Sequence, residues 1–477
     1  MKKRLLSLFL ILSMLLTVMP VSNVFAQEVA TDQPAYSAWA TSDLIVGDTY
    51  GIYPQSWYDK GMQKPITHGQ LRGLLAGLRL KLLNTDCVVD YNEQSYKLKN
   101  DMTVEEVLEF LYLLISDYEF SGDIGITDNG TALEYMAAYG IFTGNEDGLS
   151  LNDRCTVEQA CVIATRLITH IYDALDAASK GFLWKIESGE NTVYLLGSVH
   201  LADYDIYPFS NKILKAFEES DVLGVELDML TSANVVNTLL LQYGVYMDGT
   251  TLKDNVSEEA YAKTVETASI FGYSEELISM FKPWAIYLMF SALTNSSTGS
   301  VEEMATAATL GIDMKFTVDA YMTGKPIIEL EGYEFQIRVL DSFSDELAEY
   351  LMVSTMDAIA DIMEGKKSGD NQFLDITLDY WRDGDVEGFM KDIAPLLVAE
   401  ETPDMSEEDK AVLPLLEEYT YKLITERDKG MAEKIDGFLK AEGSSTYFVV
   451  VGTGHYISEY SVINILEEMG YEINLIR

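Results

Sequence analysis

The spacing of apolar residues divides the chain into two parts. Between residues 36 and 176, apolar side chains recur at helical spacing behind a threonine that is followed three residues later by glutamine or glutamate. This order is typical of the capping box, in which both side chains satisfy backbone groups at a helix start. The pattern predicts helices over 67–83, 103–115 and 156–175, and therefore a small all-α repeat region.

A different pattern follows the stretch 176–181, which has the composition of a linker. From about 182 to 477, short apolar runs typical of buried strands alternate with helical segments. This alternation predicts an α/β domain with a central sheet. The residues from about 232 to 440 are mainly amphipathic, acidic helix, and they predict a helical insertion beside the sheet.

Polar residues end four of the apolar runs in the second part. Two of these runs end in a glycine, two further residues and a histidine, which places His200 and His455 just past the strands. Open α/β sheets bind ligands beyond the carboxyl ends of their strands, so we expect a site at this edge. The four segments are Gly197–His200, Val222–Asp228, Pro326–Glu331 and Gly452–His455.

Two imidazoles and a carboxylate are a suitable ligand set for a divalent transition metal. His200, His455 and Glu226 supply these groups, and the set suits zinc, manganese, cobalt or iron without selecting one. A bound ion would activate water and polarise a carbonyl. Glu331 is the predicted general base or orienting carboxylate. Arg427, on a predicted helix before the last strand, is assigned to the developing oxyanion or, alternatively, to a surface salt bridge.

The first residues, the later apolar runs and the charge of the chain indicate where the protein is located and which partners it can bind. Met1–Arg4 and the apolar run that follows resemble a signal peptide over 1–26, so we expect a secreted, extracellular protein. No later stretch is long and apolar enough to span a bilayer; the run from Pro283 to Leu293 predicts a buried core helix. The chain has 77 acidic against 33 basic residues, which argues against binding nucleic acid.

Three cysteines are too few for a disulfide framework. Cys155 and Cys161 lie six residues apart on one predicted helix and therefore point to different faces. We expect all three cysteines to be buried free thiols. One bridge from Cys87 remains open, because the expected compartment is oxidising.

The first part of the chain resembles the S-layer homology repeat. The resemblance is carried by the units from Trp39 to Leu83 and from about 131 to 170, each with a capped helix, while the middle unit is truncated. The Ile-Thr-Arg-Ala-Glu of that family stands here as Ile66-Thr-His-Gly-Gln70 and lacks its arginine. The resemblance implies binding of cell-wall polymer; the alternative is a helical domain that packs on the catalytic one.

The second part resembles the TraB/GumN family, which is related to the Tiki proteases. An ordered set of motifs over about 182–477 carries this resemblance: Leu183–Ile186, Leu196–His200, Val225–Asp228, Gly311–Asp313, Leu330–Glu331 with Gln336, Trp381–Asp385, Arg427 with Met431, and Val451–His455. It implies that His200, His455 and Glu226 form the active-site set. For the Tiki branch it implies a metal-dependent peptidase.

The patterns together predict a secreted, cell-surface, metal-dependent hydrolase that acts on a peptide or protein substrate. In this hypothesis His200, Glu226 and His455 bind the ion, Glu331 is the base and Arg427 stabilises the oxyanion. A non-catalytic protein that binds haem, metal or a peptide at the same strand ends is the alternative. A surface protein whose helical repeats are the working part is a third possibility.

Overall fold

A computed structural model describes the chain over residues 35–89, 99–127, 129–144, 150–231, 233–294, 301–365, 371–393, 405–458 and 460–477. The predicted signal peptide over 1–26 lies outside these residues. The described residues form two compact units. The first contains residues 35–179 and Tyr204–Asn211, and the second contains Lys180–Asp203 and Lys212–Arg477. None of the helices in the described ranges has the length and apolar character needed to cross a membrane.

The first unit is mainly helical. All three predicted helices are confirmed, and each begins directly after its capping threonine, which accepts a hydrogen bond from the backbone three residues ahead. Its elements are α1 Thr41–Tyr50, α2 Ser56–Lys60, α3 His68–Leu82, β1 Cys87–Val89, α4 Val104–Ser116, β2 Tyr118–Phe120, α5 Ala132–Ala138 and α6 Val157–Leu175.

Two expectations about this unit need correction. The region was predicted to be all-α, yet β1 and β2 pair in an antiparallel register from Cys87 with Phe120 to Val89 with Tyr118. The helical periodicity before and after them carried no sign of these three-residue strands. All three cysteines are free thiols, but Cys87 is only half-buried, whereas Cys155 and Cys161 are buried.

A short segment from the later part of the chain also belongs to the first unit. Tyr204–Asn211 follows the first histidine loop of the second unit by a few residues. Ser179 donates its backbone N–H to the Pro208 carbonyl at 2.9 Å, and Asn84 donates a side-chain N–H to Asp205 at 2.7 Å. Ile206, Tyr207 and Phe209 of this segment are buried, whereas Tyr204 is 36% exposed. The segment therefore contributes to the core of the first unit.

The second unit is a mixed α/β structure built on a six-stranded sheet. Its strands are β3 Phe182–Ser188, β4 Asn191–Ser198, β5 Val222–Val225, β6 Ile327–Glu329, β7 Thr446–Gly452 and β8 Ile473–Leu475. The order across the sheet is β6-β5-β7-β4-β3-β8. The first four strands in this order run parallel, while β3 is antiparallel to both β4 and β8.

Helices surround the sheet and fill the predicted insertion. They are α7 Asn211–Glu218, α8 Ala233–Tyr243, α9 Leu252–Asn255, α10 Glu258–Ile270, α11 Glu275–Ile278, α12 Pro283–Thr294, α13 Val301–Thr309, α14 Ile312–Thr323, α15 Tyr333–Asp341, α16 Asp345–Met363, α17 Asn371–Asp383, α18 Val386–Asp392, α19 Glu407–Thr420, α20 Glu426–Leu439, α21 Gly454–Ile457 and α22 Val462–Glu468. A π-helical turn, Tyr421–Thr425, joins α19 to α20. The predicted core helix at Pro283 is confirmed, since α12 packs against α16 in an apolar cluster.

The strand register brings the predicted site segments to one edge of the sheet. Ser198 at the end of β4 pairs with Gly452 at the end of β7, and Val225 of β5 lies opposite Val450 and Glu329. Strand β5 ends at Val225, so Glu226 follows the strand and does not lie inside it as predicted. The carboxyl ends of four parallel strands therefore open toward the same region.

Candidate functional site

The loop that follows β4 carries His200, and the start of α14 holds it. The Nδ1 of His200 donates to a carboxylate oxygen of Asp313, in a close pair that is almost fully buried. The backbone N–H of Ile312 donates to the Val199 carbonyl at 3.1 Å. The approach is so close that a Cβ placed on Gly311 would lie 2.3 Å from the His200 carbonyl oxygen. Only glycine fits at this point.

The loop that follows β7 carries His455 in a matching arrangement. Its Nδ1 donates to Asp428 Oδ1 at 2.5 Å, and neither side chain has any exposed surface. The other oxygen of Asp428 accepts a hydrogen bond from the Ser458 hydroxyl at 3.1 Å. Burial raises the pKa of Asp428, and the neighbouring His455 lowers it in part. Helix α20 therefore holds the ring of His455 through Asp428, as α14 holds the ring of His200 through Asp313.

The second ring nitrogen of each histidine is the most informative feature of this edge. The Nε2 atoms of His200 and His455 are both buried, and neither has a hydrogen-bond partner among the described residues. Buried polar atoms without a partner are uncommon in folded proteins. A histidine whose Nδ1 donates to a carboxylate and whose Nε2 is left open is typical of metal ligation.

A second group of side chains is built around Arg427. Its Nη2 donates to Glu226 Oε2 at 2.5 Å and to Glu331 Oε2 at 2.7 Å, and its Nε donates to Glu331 Oε1 at 2.9 Å. Its Nη1 donates to the Leu423 carbonyl at 3.2 Å. Gln336 adds its side-chain Nε2, 2.9 Å from Glu331 and 3.4 Å from Glu226. The guanidinium is thus fully enclosed by carboxylates and carbonyl oxygen.

The charges of the two groups act on one another. Burial lowers the pKa of His200, but the Asp313 and Glu226 carboxylates outweigh it and raise the pKa to about 9. Burial raises the pKa of Glu226, but Arg427 and the two histidines outweigh it and lower the pKa to about 2. Burial also disfavours the charged form of Arg427, and Glu331 and Glu226 reverse this and raise its pKa.

The predicted three-residue metal set is not assembled in this arrangement. Among the residues that the structure describes, no three His, Cys, Asp or Glu side chains are placed to hold a metal ion. Glu226 is occupied at both oxygens, since Oε1 accepts the Gly452 N–H at 2.7 Å and Oε2 faces Arg427. The two unpartnered imidazole nitrogens are donors of the type that binds a transition metal, and both histidines lie near enough to Glu226 to lower its pKa.

The structure brings all five sequence-predicted residues to the carboxyl edge of the sheet. His200 and His455 lie in the two strand-end loops, and Glu226, Glu331 and Arg427 share one buried network. Three partners were not predicted as site residues: Asp313, Asp428 and Gln336. Each stands within or beside a motif that the sequence showed, but nothing in the spacing of those motifs indicated where its side chain points.

Comparison with known proteins identifies relatives for the second unit. The profile described as the TraB/PrgY/gumN family matches residues 182–475. The uncharacterized protein YbaP of Escherichia coli (strain K12) is 28% identical over 158 residues, covering 33% of this chain and 55% of its own. The Metalloprotease TIKI homolog of Amphimedon queenslandica is 21% identical over 329 residues, covering 63% and 62%.

A vertebrate relative extends this set. The Metalloprotease TIKI2 of Danio rerio is 23% identical over 323 residues, which cover 61% of this chain and 60% of its own. The chain thus spans slightly more than half of the length of these three relatives. No solved structure matches it. Because the family profile covers more than half of the chain, this protein belongs to the TraB/PrgY/gumN family.

Proposed function

We propose that this chain is a secreted, metal-dependent hydrolase that cleaves peptide bonds, with His200 and His455 as metal ligands through Nε2. The observation that carries the proposal is the pair of buried, open Nε2 atoms, each on a histidine whose Nδ1 donates to an aspartate. The distant TIKI metalloproteases among its relatives support the reaction class. The apolar run behind Met1–Arg4 supports secretion.

The charge of the site also favours a cation. Four carboxylates with buried side chains lie at this site: Glu226 and Glu331 pair with Arg427, and Asp313 and Asp428 pair with the two histidines. Against burial, which lowers it, Asp313 and Glu226 raise the pKa of His200 to about 9, so the site draws a proton onto this histidine at neutral pH. Unpaired buried charge is costly, and a divalent cation at Nε2 would take the place of that proton and balance the carboxylates.

In this proposal the residues of the chain divide the work of peptide hydrolysis. A bound ion would lower the pKa of a water ligand and polarise the scissile carbonyl. Glu226, held between Arg427 and the Gly452 N–H, places a fixed negative charge beside both histidines and so favours a cation there. Its low pKa keeps it ionised at neutral pH. Glu331 completes the pairing of the guanidinium and thereby fixes the geometry of the cluster.

Arg427 takes a different role here from the oxyanion role that its sequence position suggested. Its donors are directed at Glu226, Glu331 and the Leu423 carbonyl. Bidentate pairing of this kind orients carboxylates with high geometric specificity. Arg427 therefore holds the two glutamates in place beside the histidines and lowers the pKa of Glu226.

Metal content is the measurement that tests the proposal. We expect the purified mature protein, after incubation with manganese, cobalt or zinc, to retain one metal per chain and to hydrolyse a quenched fluorescent peptide library. His200→Ala and His455→Ala should lose both properties while keeping the far-ultraviolet circular dichroism of the wild type. His68→Ala, in the first unit, is the control and should keep both. Full activity in the two site variants would contradict the proposal.

A basic pocket in the first unit favours a second activity, attachment to a cell-wall polymer. A cavity of about 540 Å³ is lined by Trp57, Lys60, Lys64, Thr67 and Gln70. Two lysine ammonium groups and an aromatic ring in one lining suit an anionic saccharide. Lys60→Glu with Lys64→Glu should release the protein from purified wall polymer. Unchanged retention of this variant would count against the attachment.

A further inference from the structure

The loop that carries His200 is held at three points by one short segment, the residues 307–313. Ala202 donates its backbone N–H to the Ala307 carbonyl at 3.0 Å, and Ile312 donates to the Val199 carbonyl at 3.1 Å. Between these two bonds, Asp313 accepts from the Nδ1 of His200. Backbone hydrogen bonds thus hold the loop on both sides of His200, and a third hydrogen bond holds its imidazole ring.

The carboxylate in this clamp is itself fixed. Its Oδ1 accepts the backbone N–H of Met314 at 2.9 Å, at the first turn of α14. Anionic side chains are favoured at a helix N-terminus, because the first backbone N–H groups have no partner within the helix. Asp313 is also almost fully buried. Its remaining oxygen therefore has one direction to point in, toward the imidazole.

We infer that Asp313 is the positioning residue of His200, and that it sets the affinity of the site for a metal by fixing which ring nitrogen is open. A carboxylate that accepts from Nδ1 keeps a proton on that nitrogen, so Nε2 is the nitrogen that gives its lone pair to a bound cation. The negative charge also makes that lone pair a stronger donor to a cation. This inference rests on the proposed function, because it concerns the same two histidines.

The geometry separates this role from a role in packing alone. The main-chain bonds at Ala202 and Ile312 hold the loop without any help from the side chain of Asp313. Replacing the carboxylate by an amide of the same shape should leave those bonds intact. A change in metal binding without a change in folding would therefore belong to the charge and its hydrogen bond.

The test is a metal titration of the full-length mature protein with manganese, cobalt and zinc, each against a competing chelator. We expect Asp313→Asn to weaken binding about 10- to 100-fold, the range typical of a lost carboxylate behind a metal-ligating histidine. Asp313→Ala should weaken it further, because it also removes the acceptor. The visible absorption of the cobalt form should shift in both variants, which reports the ligand field without any assay of activity.

Asp319→Asn is the matched control on the same helix. The carboxylate of Asp319 pairs with Lys315 one turn away, whereas the carboxylate paired with His200 is that of Asp313, so the Asp319 variant should bind metal as the wild type does. Unfolding in urea should give Asp313→Asn a midpoint close to that of the control. If Asp313→Ala fails to fold, Asp313→Asn still decides the matter.

The outcomes distinguish the inference from the function on which it rests. Binding in Asp313→Asn within twofold of the wild type, with wild-type metal content present, overturns the positioning role alone. An equal loss in Asp319→Asn also overturns it. A wild-type protein that binds none of the three metals overturns the proposed function and this inference together.

Discussion

At the scale of single residues, the buried guanidinium of Arg427 determines which substitutions the cluster of Arg427, Glu226 and Glu331 can accept without loss of stability. It has no exposed surface and forms ion pairs with both Glu226 and Glu331. Removing one member of a buried ion pair leaves an uncompensated charge, which costs about 3–5 kcal/mol. The arrangement is therefore far more sensitive to loss of the arginine than to loss of a surface partner.

We accordingly expect Arg427→Met to lower the free energy of unfolding by about 3–5 kcal/mol at neutral pH. The loss should shrink toward pH 4, because in the variant burial of Glu226 is no longer opposed by the arginine, its pKa rises, and protonation removes its uncompensated charge. Urea unfolding at several pH values measures both effects. Arg338→Met removes an exposed pair with Glu334 and should change stability by less than about 0.5 kcal/mol.

Asp48 in α1 gives the first unit a separate pH dependence. Burial raises its pKa from 3.8 to about 6, against hydrogen bonds from Tyr58 that lower it in part. A carboxyl group whose pKa is higher in the folded state favours folding when protonated. Its contribution is therefore present below about pH 4 and is lost as the pH rises through 6.

Asp48→Asn should remove this loss of folding stability at neutral pH. We expect the variant to match the wild type near pH 4 and to be more stable by about 1–2 kcal/mol at pH 7, less than the full shift implies because the side chain is partly exposed. The amide oxygen can still accept from Tyr58, which limits other effects. Urea unfolding followed by tyrosine fluorescence at the two pH values checks the sign. Equal stability of both proteins at pH 7 would refute it.

At the scale of elements, the capped helices and the strand ends could be predicted because their signals are local. The three threonine caps lie within four residues of the helices they start, and the glycine-to-histidine endings lie within one turn of their strands. Side-chain partners such as Asp313 and Asp428 lie on other elements, 113 and 27 residues away from their histidines. Their approach depends on how helices dock on the sheet, and periodicity holds no information about that.

The direction of each strand in the sheet could not be predicted from the sequence for a related reason. Strand β3 pairs antiparallel with both β4 and β8, although apolar runs that alternate with helices favour a parallel sheet. Direction is set by the connection, and the two-residue turn between Ser188 and Asn191 permits only an antiparallel neighbour. The sequence pattern placed Glu226 inside β5. In the structure the strand ends at Val225, and the Glu226 side chain turns inward to Arg427 directly after it.

The close approach of α14 to the β4 loop gives a prediction at this scale. A Cβ at Gly311 would meet the His200 carbonyl at 2.3 Å, so Gly311→Ala must displace the loop. We expect a loss of about 1–3 kcal/mol in stability, together with weaker metal binding. Thermal unfolding and the chelator titration measure these. Gly430→Ala in α20 is the control, because a Cβ there meets nothing and should be neutral or stabilising.

At the scale of the whole molecule, the assignment of Tyr204–Asn211 to the first unit matters most. Three apolar side chains of this segment, Ile206, Tyr207 and Phe209, are at most 4% exposed. The segment lies within the stretch that the family profile matches, 182–475. Boundaries along the sequence and boundaries in space are therefore different in this chain.

A protein cut to residues 182–477 should consequently be less stable than the full-length mature protein. The cut removes the partners of this segment and exposes its apolar side chains, each of which contributes about 1.5–3 kcal/mol when buried. We expect a lower thermal midpoint and increased binding of a hydrophobic dye. Ile206→Ser with Phe209→Ser should reduce the dye binding of the cut protein. A cut protein as stable as the full-length one would refute the expectation.

The same segment restricts how such a protein can be recombined with other modules. A gene fusion that exchanges everything before residue 180 would leave eight residues of the old unit inside the new protein, a few positions after His200. A replacement module would need a surface that accepts Tyr204–Asn211, or the exchange would have to include that stretch as a second insert. Exchange of the N-terminal part is thus a two-site event, and single crossovers at the apparent linker are expected to yield poorly folded hybrids.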